Sequence, residues 1–274
     1  MQVIGNNLKE IFLYKTLTPD QVSGKALALD VSVRSNLLSY AVYAKERQLL
    51  RIRTCLLEKS LFEDESQLHD WVRDDEWFKL SFGQVNIQWN DSRISVVPAS
   101  FALSGKTDVL SKHLFDISHQ EMIRFSDCGE LQLMYALSDK AYYASRTRWS
   151  EAHHEHLAGR ILNWYMDPNM DQDPLIVNHG DYLQMLYRDG NKLQFCQSFP
   201  YTSTNEAAYF VLNSMEKLSI RREQVTIRTL GIDPNSELFQ LLDSYIRKVK
   251  EVRLPLPESL KKEYSLHPLL ISLL

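Results

Sequence analysis

Asp30 is the first residue of this chain whose type and position could serve phosphate chemistry. It stands in the segment LALDVSVRSNLLSYAVY, which begins at Leu27 and is typical of two strands joined by the polar tip 34–36. A carboxylate just before such a tip can belong to a phosphate-binding hairpin. The same residue can also simply end a buried strand. The choice between these interpretations depends on the elements that position Asp30.

The elements around Asp30 predict an antiparallel meander, because connections of three residues can join only adjacent antiparallel strands. Three apolar segments joined by the short polar tips RSN and KER lead this region. A segment with apolar residues on one face at helical spacing follows, and two strand segments around a polar turn come next. In chain order these segments cover residues 25–33, 36–44, 48–58, 65–78 and 84–101.

The same order of elements returns in the second part of the chain. Three strand segments are joined by the tips HGD and DGN, and an amphipathic helix, a short strand and a final helix with Ser236 as its N-cap follow. These segments cover residues 175–179, 181–189, 192–200, 205–220, 226–232 and 236–249. Because chance rarely repeats the same order, we expect residues from about Lys25 to Phe101 and from about Pro174 to Ile232 to form two similar mixed sheets.

A segment without periodic apolar residues separates the two copies. Residues 166–174, MDPNMDQDP, contain two prolines and three aspartates, a composition typical of a linker or a long surface loop. The sequence therefore predicts two lobes, residues 1–166 and residues 167–274. A strand over 130–138 and a helix with Asp139 as its N-cap are expected before the linker.

The composition is that of a globular protein with a sizeable core. The 274 residues are 44% hydrophobic and 24% charged, both average values. The net charge of -4 argues against nucleic acid as a partner, since such binding needs a basic surface. No segment approaches the roughly 20 apolar residues of a membrane span, and the N-terminus lacks the regions of a signal peptide. Three widely spaced cysteines predict reduced thiols, so a cytoplasmic location is expected.

A duplicated lobe of meander, helix and strand resembles the plan of the actin-like ATPase superfamily, which includes actin, sugar kinases and the actin homologues of pilus assembly and cell division. The chain is also similar to an uncharacterised bacterial family assigned to that fold. The resemblance lies in the order of elements over most of the chain. It implies an α/β protein with a duplicated, actin-like (ribonuclease H-like) fold of two lobes, each a mixed sheet led by an antiparallel meander.

The resemblance implies nucleotide-binding roles for five residues, although each of three motifs is only half present. In the superfamily the first hairpin carries Asp-x-Gly-x-(Ser/Thr); here Asp30 matches the acid and Ser32 replaces the glycine. The second hairpin should repeat Asp-x-Gly; here Asn178 replaces the acid and Gly180 matches the glycine. The adenosine motif usually has two adjacent glycines, and TLGIDPNS supplies only Gly231. An amide cannot act as a base or carry metal charge as a carboxylate does.

These departures predict a non-catalytic, pseudo-ATPase member of the superfamily that binds or scaffolds a protein partner. No cofactor is expected, because an active site depends on its full constellation of residues. The alternative is a divergent protein that binds ATP with Mg²⁺ and either hydrolyses it slowly or changes conformation with the nucleotide. The identity of the partner is left open by the sequence.

Three histidines, His153, His154 and His156, form a dense group of possible metal ligands. His153 and His156 would share a face of a helix, whereas His154 and His156 would share a face of a strand. Either arrangement falls short of the three or four protein ligands that zinc needs. The ligand count therefore favours a solvated face over a metal site.

The C-terminal segment has an apolar end. Pro255 and Pro257 prevent the last helix from continuing far beyond Val249, and residues 267–274, HPLLISLL, place five leucine or isoleucine side chains among the last six residues. Such an end is an aggregation hazard in water. We expect it to pack against the same molecule, with a partner's surface as the alternative.

Overall fold

The computed structural model describes residues 8–22, 26–44, 48–59, 61, 66–102 and 107–252. The chain divides into two compact units, each made of separated segments. The first unit takes residues 1–91, 105–126 and 135–157, and the second takes residues 92–104, 127–134 and 158–274. The division of the sequence into lobes at residue 166 stays a prediction.

The first unit is built on a six-stranded sheet. Its strands are β1 (Leu8–Lys15), β2 (Ala28–Val33), β3 (Leu37–Tyr43), β4 (Leu49–Leu57), β5 (Gln84–Trp89) and β9 (His153–His156). The order across the sheet is β1-β4-β3-β2-β5-β9. Strands β2, β3 and β4 form the predicted antiparallel meander, while β5 and β9 continue the sheet in parallel beside β2.

The second unit repeats this plan in a five-stranded sheet. Its strands are β10 (Leu175–Asn178), β11 (Tyr182–Asp189), β12 (Lys192–Pro200), β13 (Thr226–Leu230) and β14 (Lys248–Glu251). The order is β12-β11-β10-β13-β14, again an antiparallel meander followed by two parallel strands. With β1 set aside, the two sheets have the same strand order and directions. The predicted duplication of a meander-led mixed sheet is therefore confirmed, but the strand expected after the turn at residues 90–92 does not join the first sheet.

A third sheet and seven α-helices complete the described residues. The third sheet has the order β6-β8-β7, with β6 at Ile94–Pro98, β7 at Glu121–Cys128 and β8 at Leu131–Ser138. The helices are α1 (Ser66–Asp74), α2 (Ala99–Ala102), α3 (Thr107–Leu114), α4 (Asp139–Arg148), α5 (Leu157–Met166), α6 (Thr204–Lys217) and α7 (Glu237–Tyr245).

Side-chain caps decide where several helices begin. The Ser236 hydroxyl accepts a hydrogen bond from the Phe239 amide, so the predicted N-cap of α7 is confirmed. For α4 the prediction of Asp139 was wrong by one residue. Ser138 is the N-cap, because its hydroxyl accepts a hydrogen bond from the Ala141 amide, and Asp139 is the first helical residue.

Two predicted helices end earlier than expected. The helix over 65–78 stops at Asp74, where Asp75 adopts an extended backbone and caps a separate 3₁₀ turn over Glu76–Lys79. The final helix stops at Tyr245 and not near Val249, because Ile246 is extended and the chain continues as β14 beside β13. For the residues after Tyr245, pairing with β13 therefore outweighs the helical pattern of the sequence.

Apolar faces of the helices close the core of each unit. In the first unit the Tyr40, Trp71 and Phe78 rings form a cluster with centroids 4.7–5.5 Å apart. In the second unit α6 and α7 contribute Val211 and Leu242 to a core that also contains Ile176 and other apolar residues of the sheet. Among the residues described, no helix is long and apolar enough to cross a membrane. The C-terminal segment from residue 253 onward lies outside the described residues, so its docking stays a prediction.

The histidine group forms strand β9, the second of the two arrangements that the sequence left open. The preference for a solvated face was wrong for His156, which is completely buried, although His153 is exposed. His156 Nε2 accepts a hydrogen bond from the Asp91 amide at 3.1 Å, and its ring packs on Tyr135. No group of three or more possible metal ligands occurs in the described part of the chain.

The burial of two of these histidines makes the stability of the protein depend on pH. It lowers the pKa of His154 and of His156 to about 4, because the charged imidazolium is poorly solvated inside the unit. In the unfolded chain both rings would titrate near the ordinary pKa of about 6.5. Between these pH values the unfolded state binds more protons, so stability must fall as the pH falls.

We expect the free energy of unfolding to decrease from about pH 6.5 to pH 4, with His156 contributing on the order of 1–3 kcal/mol. Urea unfolding of the wild type and of His156→Gln across this range measures that contribution, with the exposed His119→Gln as control. The His156→Gln curve should depend less on pH than the other two. Parallel pH curves for all three proteins would contradict this assignment.

Candidate functional site

The first hairpin is tied to the end of a neighbouring parallel strand. The Arg34 amide donates to the Leu37 carbonyl, which closes the tip between β2 and β3, and the Asn90 amide donates to the Val33 carbonyl. Beside this tip lies a cavity of about 20 Å³, lined in part by Ser35 and Asp91. A space of this size is large enough for a water molecule.

Asp30 lies inside β2 and not at the tip. It is 6% exposed, stands opposite Ala41 of β3, and is flanked on the other side by Asn86 of β5. Its Oδ1 atom accepts a hydrogen bond from the Asn86 amide nitrogen at 2.6 Å. This hydrogen bond to the Asn86 side chain stabilises and orients the Asp30 carboxylate. Asp30 is therefore a buried, positioned acceptor within the sheet.

Ser32 belongs to a buried polar row that crosses the same face of the sheet. Register pairs place it between Ser39 of β3 and Gln88 of β5, and all three side chains are at most 2% exposed. Within the described residues, neither serine hydroxyl and neither polar atom of the Gln88 amide has a hydrogen-bond partner. Burying such groups without partners costs stability, so apolar packing does not account for this row.

The second hairpin is held closed by the Asn178 side chain. Asn178 Oδ1 accepts a hydrogen bond from the Gly180 amide at 2.8 Å, which forms a turn between a side chain and the backbone two residues later. The Tyr201 hydroxyl lies 3.0 Å from the same oxygen and 2.9 Å from the Gly180 carbonyl oxygen, so it can donate its proton to either. The turn needs the positive φ of 104° at Gly180.

Neighbouring side chains fix this hairpin further. The His179 ring stacks on Tyr182 with centroids 4.3 Å apart, and the His179 amide donates to the Tyr182 carbonyl. The His179 Nε2 atom lies 3.2 Å from the Gln184 side-chain oxygen. The backbone amides of residues 179 and 180 therefore both make hydrogen bonds inside the hairpin.

Gly231 follows β13 and lies directly against the second hairpin. Its φ is +74°, and a β-carbon at this position would come within 2.6 Å of the Asn178 carbonyl oxygen. β13 pairs in parallel with β10, so the two residues stand side by side where these strands end. Packing alone therefore requires a glycine at position 231.

The five predicted site residues fall into two groups. Asn178, Gly180 and Gly231 come together at one end of the second sheet, whereas Asp30 and Ser32 lie on one face of the first sheet. Their role in nucleotide binding stays a prediction. Sequence reasoning missed Asn86, which contacts Asp30, and Tyr201, which contacts Asn178. These contacts depend on strand pairing, and no motif spacing in the sequence indicates them. Gln88 was also missed, because its position beside Ser32 depends on the pairing of β2 with β5.

The plan of the two units defines the class of the protein. Two mixed sheets, each led by an antiparallel meander with a hairpin at its first strand, give an actin-like ATPase fold. The sequence profile of the family described as "Protein of unknown function (DUF3822)" matches residues 15–249, and the chain belongs to this family. No curated protein matches the chain.

Solved structures support the same fold. A protein of Bacteroides thetaiotaomicron VPI-5482 with an actin-like ATPase fold and unknown function is 14% identical, with a TM-score of 0.77 over 92% of this chain and 98% of that one. A chain of the PilM–PilN type IV pilus biogenesis complex is 10% identical, with a TM-score of 0.53 over 90% of this chain and 97% of that one. At these identities the likeness establishes the fold alone, and the predicted actin-like fold is confirmed.

We expect Gly231→Ala to lower the free energy of unfolding more than Gly190→Ala does. Both glycines have positive φ, but a β-carbon at position 190 meets no atom within 4 Å. The strain of the left-handed backbone, about 1–2 kcal/mol, should be common to both variants. Only Gly231→Ala adds the contact with the Asn178 carbonyl. Urea unfolding measures the difference, and equal losses would show that this contact is readily relieved.

Proposed function

We propose that this protein is a non-catalytic actin-like protein that works as a binding or scaffolding module. The hydrogen-bonding of Asn178 carries this proposal. At the position where the superfamily has its second acid, the side-chain oxygen accepts from the Gly180 amide and lies within hydrogen-bond distance of the Tyr201 hydroxyl. A group committed to closing its own turn is poorly placed to hold a metal or a water.

The chemistry of the substitutions supports the same proposal. Hydrolysis of a nucleotide needs a group that orients and deprotonates water and a cation that offsets the charge on phosphate. An asparagine supplies neither a base nor a negative charge for a metal. Ser32 adds a side chain where the superfamily has glycine, and that side chain is buried within the first sheet. Asp30 is then the only acid that the three motifs retain.

A protein partner is the ligand that we propose. The PilM relative is found in a complex with PilN, so a protein with this fold can take part in an assembly. The net charge of -4 supports a protein partner over nucleic acid. A cytoplasmic location is part of this proposal, supported by the small number of scattered cysteines in the sequence.

A second candidate function is nucleotide binding without efficient hydrolysis. Asp30 favours it, because this residue matches the acid of the first motif and its carboxylate is oriented by Asn86 at 2.6 Å. In this alternative Mg-ATP would bind the protein without being hydrolysed efficiently and would select one of its conformations.

We expect the purified protein to release phosphate from Mg-ATP no faster than the buffer does, and Asp30→Ala to behave identically. A phosphate-release assay with both proteins measures this, with thermal unfolding in Mg-ATP run in parallel. A ligand at one hundred times its dissociation constant would add about 2.7 kcal/mol of stability. Steady turnover that Asp30→Ala abolishes would contradict the proposal. Stabilisation without turnover would instead support the second candidate.

A further inference from the structure

A second pocket of the first unit has the features of a binding site and shares no lining residue with the cavity at the first hairpin. It encloses about 390 Å³, within the range of small-ligand sites. It lies on one face of β1 and β4, next to the segment from Asp74 to Trp77. Its lining combines three cations with an apolar wall formed by Leu13, Pro19 and Trp77.

A buried network forms one side of this pocket. Asp75 Oδ2 accepts hydrogen bonds from the Tyr40 hydroxyl at 2.6 Å and from Arg53 Nη1 at 2.7 Å, while its Oδ1 accepts from the Trp77 amide. Arg53 Nε donates in turn to Glu10 at 2.8 Å. Burial and the neighbouring Asp75 carboxylate raise the pKa of Tyr40 far above its ordinary value, so the phenol stays neutral. The charge of Arg53 is thus balanced by two acids.

Arg51 is held differently, and its charge is only partly balanced. Its Nε atom donates to the neutral Tyr40 hydroxyl at 2.5 Å, and the nearest acid, Asp75, is 3.7 Å from Nη2. The guanidinium lies over the Trp77 ring, with 5.5 Å between the guanidinium carbon and the ring centroid. Within the described residues, its two terminal nitrogens make no hydrogen bond. The contact with the Trp77 ring and the hydrogen bond from Nε fix the orientation of the Arg51 guanidinium group, whose two terminal nitrogens form a planar fork.

Lys15 stands directly opposite Arg51 in the pairing of β1 with β4 and lines the same pocket. Like charges directly opposite each other on a sheet destabilise it. No acidic partner of Lys15 occurs among the described residues. An anion between the two cations would remove this repulsion and complete the hydrogen bonds of Arg51.

The remaining charges of the pocket select the kind of anion. Four carboxylates and three cations line the pocket, so the lining carries one net negative charge and repels a doubly charged phosphate more than a singly charged anion. A singly charged carboxylate matches the planar fork of Arg51 and needs less compensation. The apolar wall suits a hydrocarbon group attached to that carboxylate.

We propose that this pocket binds a carboxylate carried on an apolar group, with Arg51 and Lys15 as its cationic ligands. The carboxylate can come from a free organic acid or from the end of a peptide, because the recognising chemistry is the same. The site is independent of the nucleotide question, so neither the presence nor the absence of ATPase activity bears on it.

Isothermal titration calorimetry of the full chain with N-acetyl-leucine tests this proposal. We expect saturable binding, with no binding of N-acetyl-leucinamide, which has the same apolar group without the charge. Isovalerate serves as the free acid: tighter binding of N-acetyl-leucine indicates a peptide end, and tighter binding of isovalerate indicates a free acid. Inorganic phosphate should bind more weakly than either acid. No saturable binding of either acid, or equal binding of the amide or of phosphate, would overturn the proposal.

Two variants and one control locate the site. Lys15→Gln and Arg51→Lys should each weaken the affinity about tenfold, the first by removing a charge and the second by removing the fork. Lys9→Gln is the matched control, since Lys9 is an exposed lysine of the same strand whose register partner, Leu56, lies on the opposite face. Because Lys15 is also exposed, its variant is expected to fold even if Arg51→Lys does not. Unchanged affinity in Lys15→Gln, or an equal loss in Lys9→Gln, would overturn the proposal.

Discussion

The hydrogen bonds to the side-chain oxygen of Asn178 are the interactions on which one end of the second unit depends. This oxygen closes the turn after β10 through the Gly180 amide and lies against the Tyr201 hydroxyl just beyond β12. The carbonyl oxygen of the same residue sets the approach of the next parallel strand, because it leaves no room for a side chain at position 231. Asn178 thus contacts the hairpin between β10 and β11, the end of β12 and the end of the parallel strand β13.

The two units share a topology but have diverged in the chemistry of their first strands. In the first unit, Asp30 on β2 is bonded to Asn86 on β5, the strand that pairs in parallel with it. In the second, the polar residue stands at the end of β10 and bonds within its own hairpin. The first unit has a carboxylate there, and the polar atoms in the row around Ser32 have no hydrogen-bond partner among the described residues. This asymmetry is what the proposed non-catalytic role explains.

Short-range chemistry made much of the fold predictable from the sequence. The tips HGD and DGN fixed two hairpins, because glycine and asparagine tolerate the backbone that tight turns need. The repeated order of elements then predicted the meander and the first parallel strand of both sheets. Strand β1 was missed, because LKEIFLYK shows only a weak alternation and forms an edge that β4 completes. The residues from Ile246 onward were assigned to a helix, because only the finished sheet offers them a parallel partner.

The candidate site was less predictable than the fold. Motif spacing pointed to Asp30, Asn178 and Gly231, yet their partners depend on strand register, which no local pattern encodes. The carboxylate pocket illustrates the same limit. Lys15 and Arg51 are 36 positions apart in the sequence and become neighbours only through the pairing of β1 with β4.

The most direct test of this account is a double-mutant cycle between Asn178→Ala and Tyr201→Phe, measured by urea unfolding. If Asn178 has a structural role, its truncation should lower the free energy of unfolding by about 1–2 kcal/mol, because it leaves a turn amide without its acceptor. The loss should be non-additive with that of Tyr201→Phe, since both variants disrupt one hydrogen-bonded group. Asn178→Asp should retain most of the stability, since a carboxylate oxygen can close the same turn. Unchanged stability in Asn178→Ala would contradict the account, because it would mean that this side chain is not committed to the hairpin.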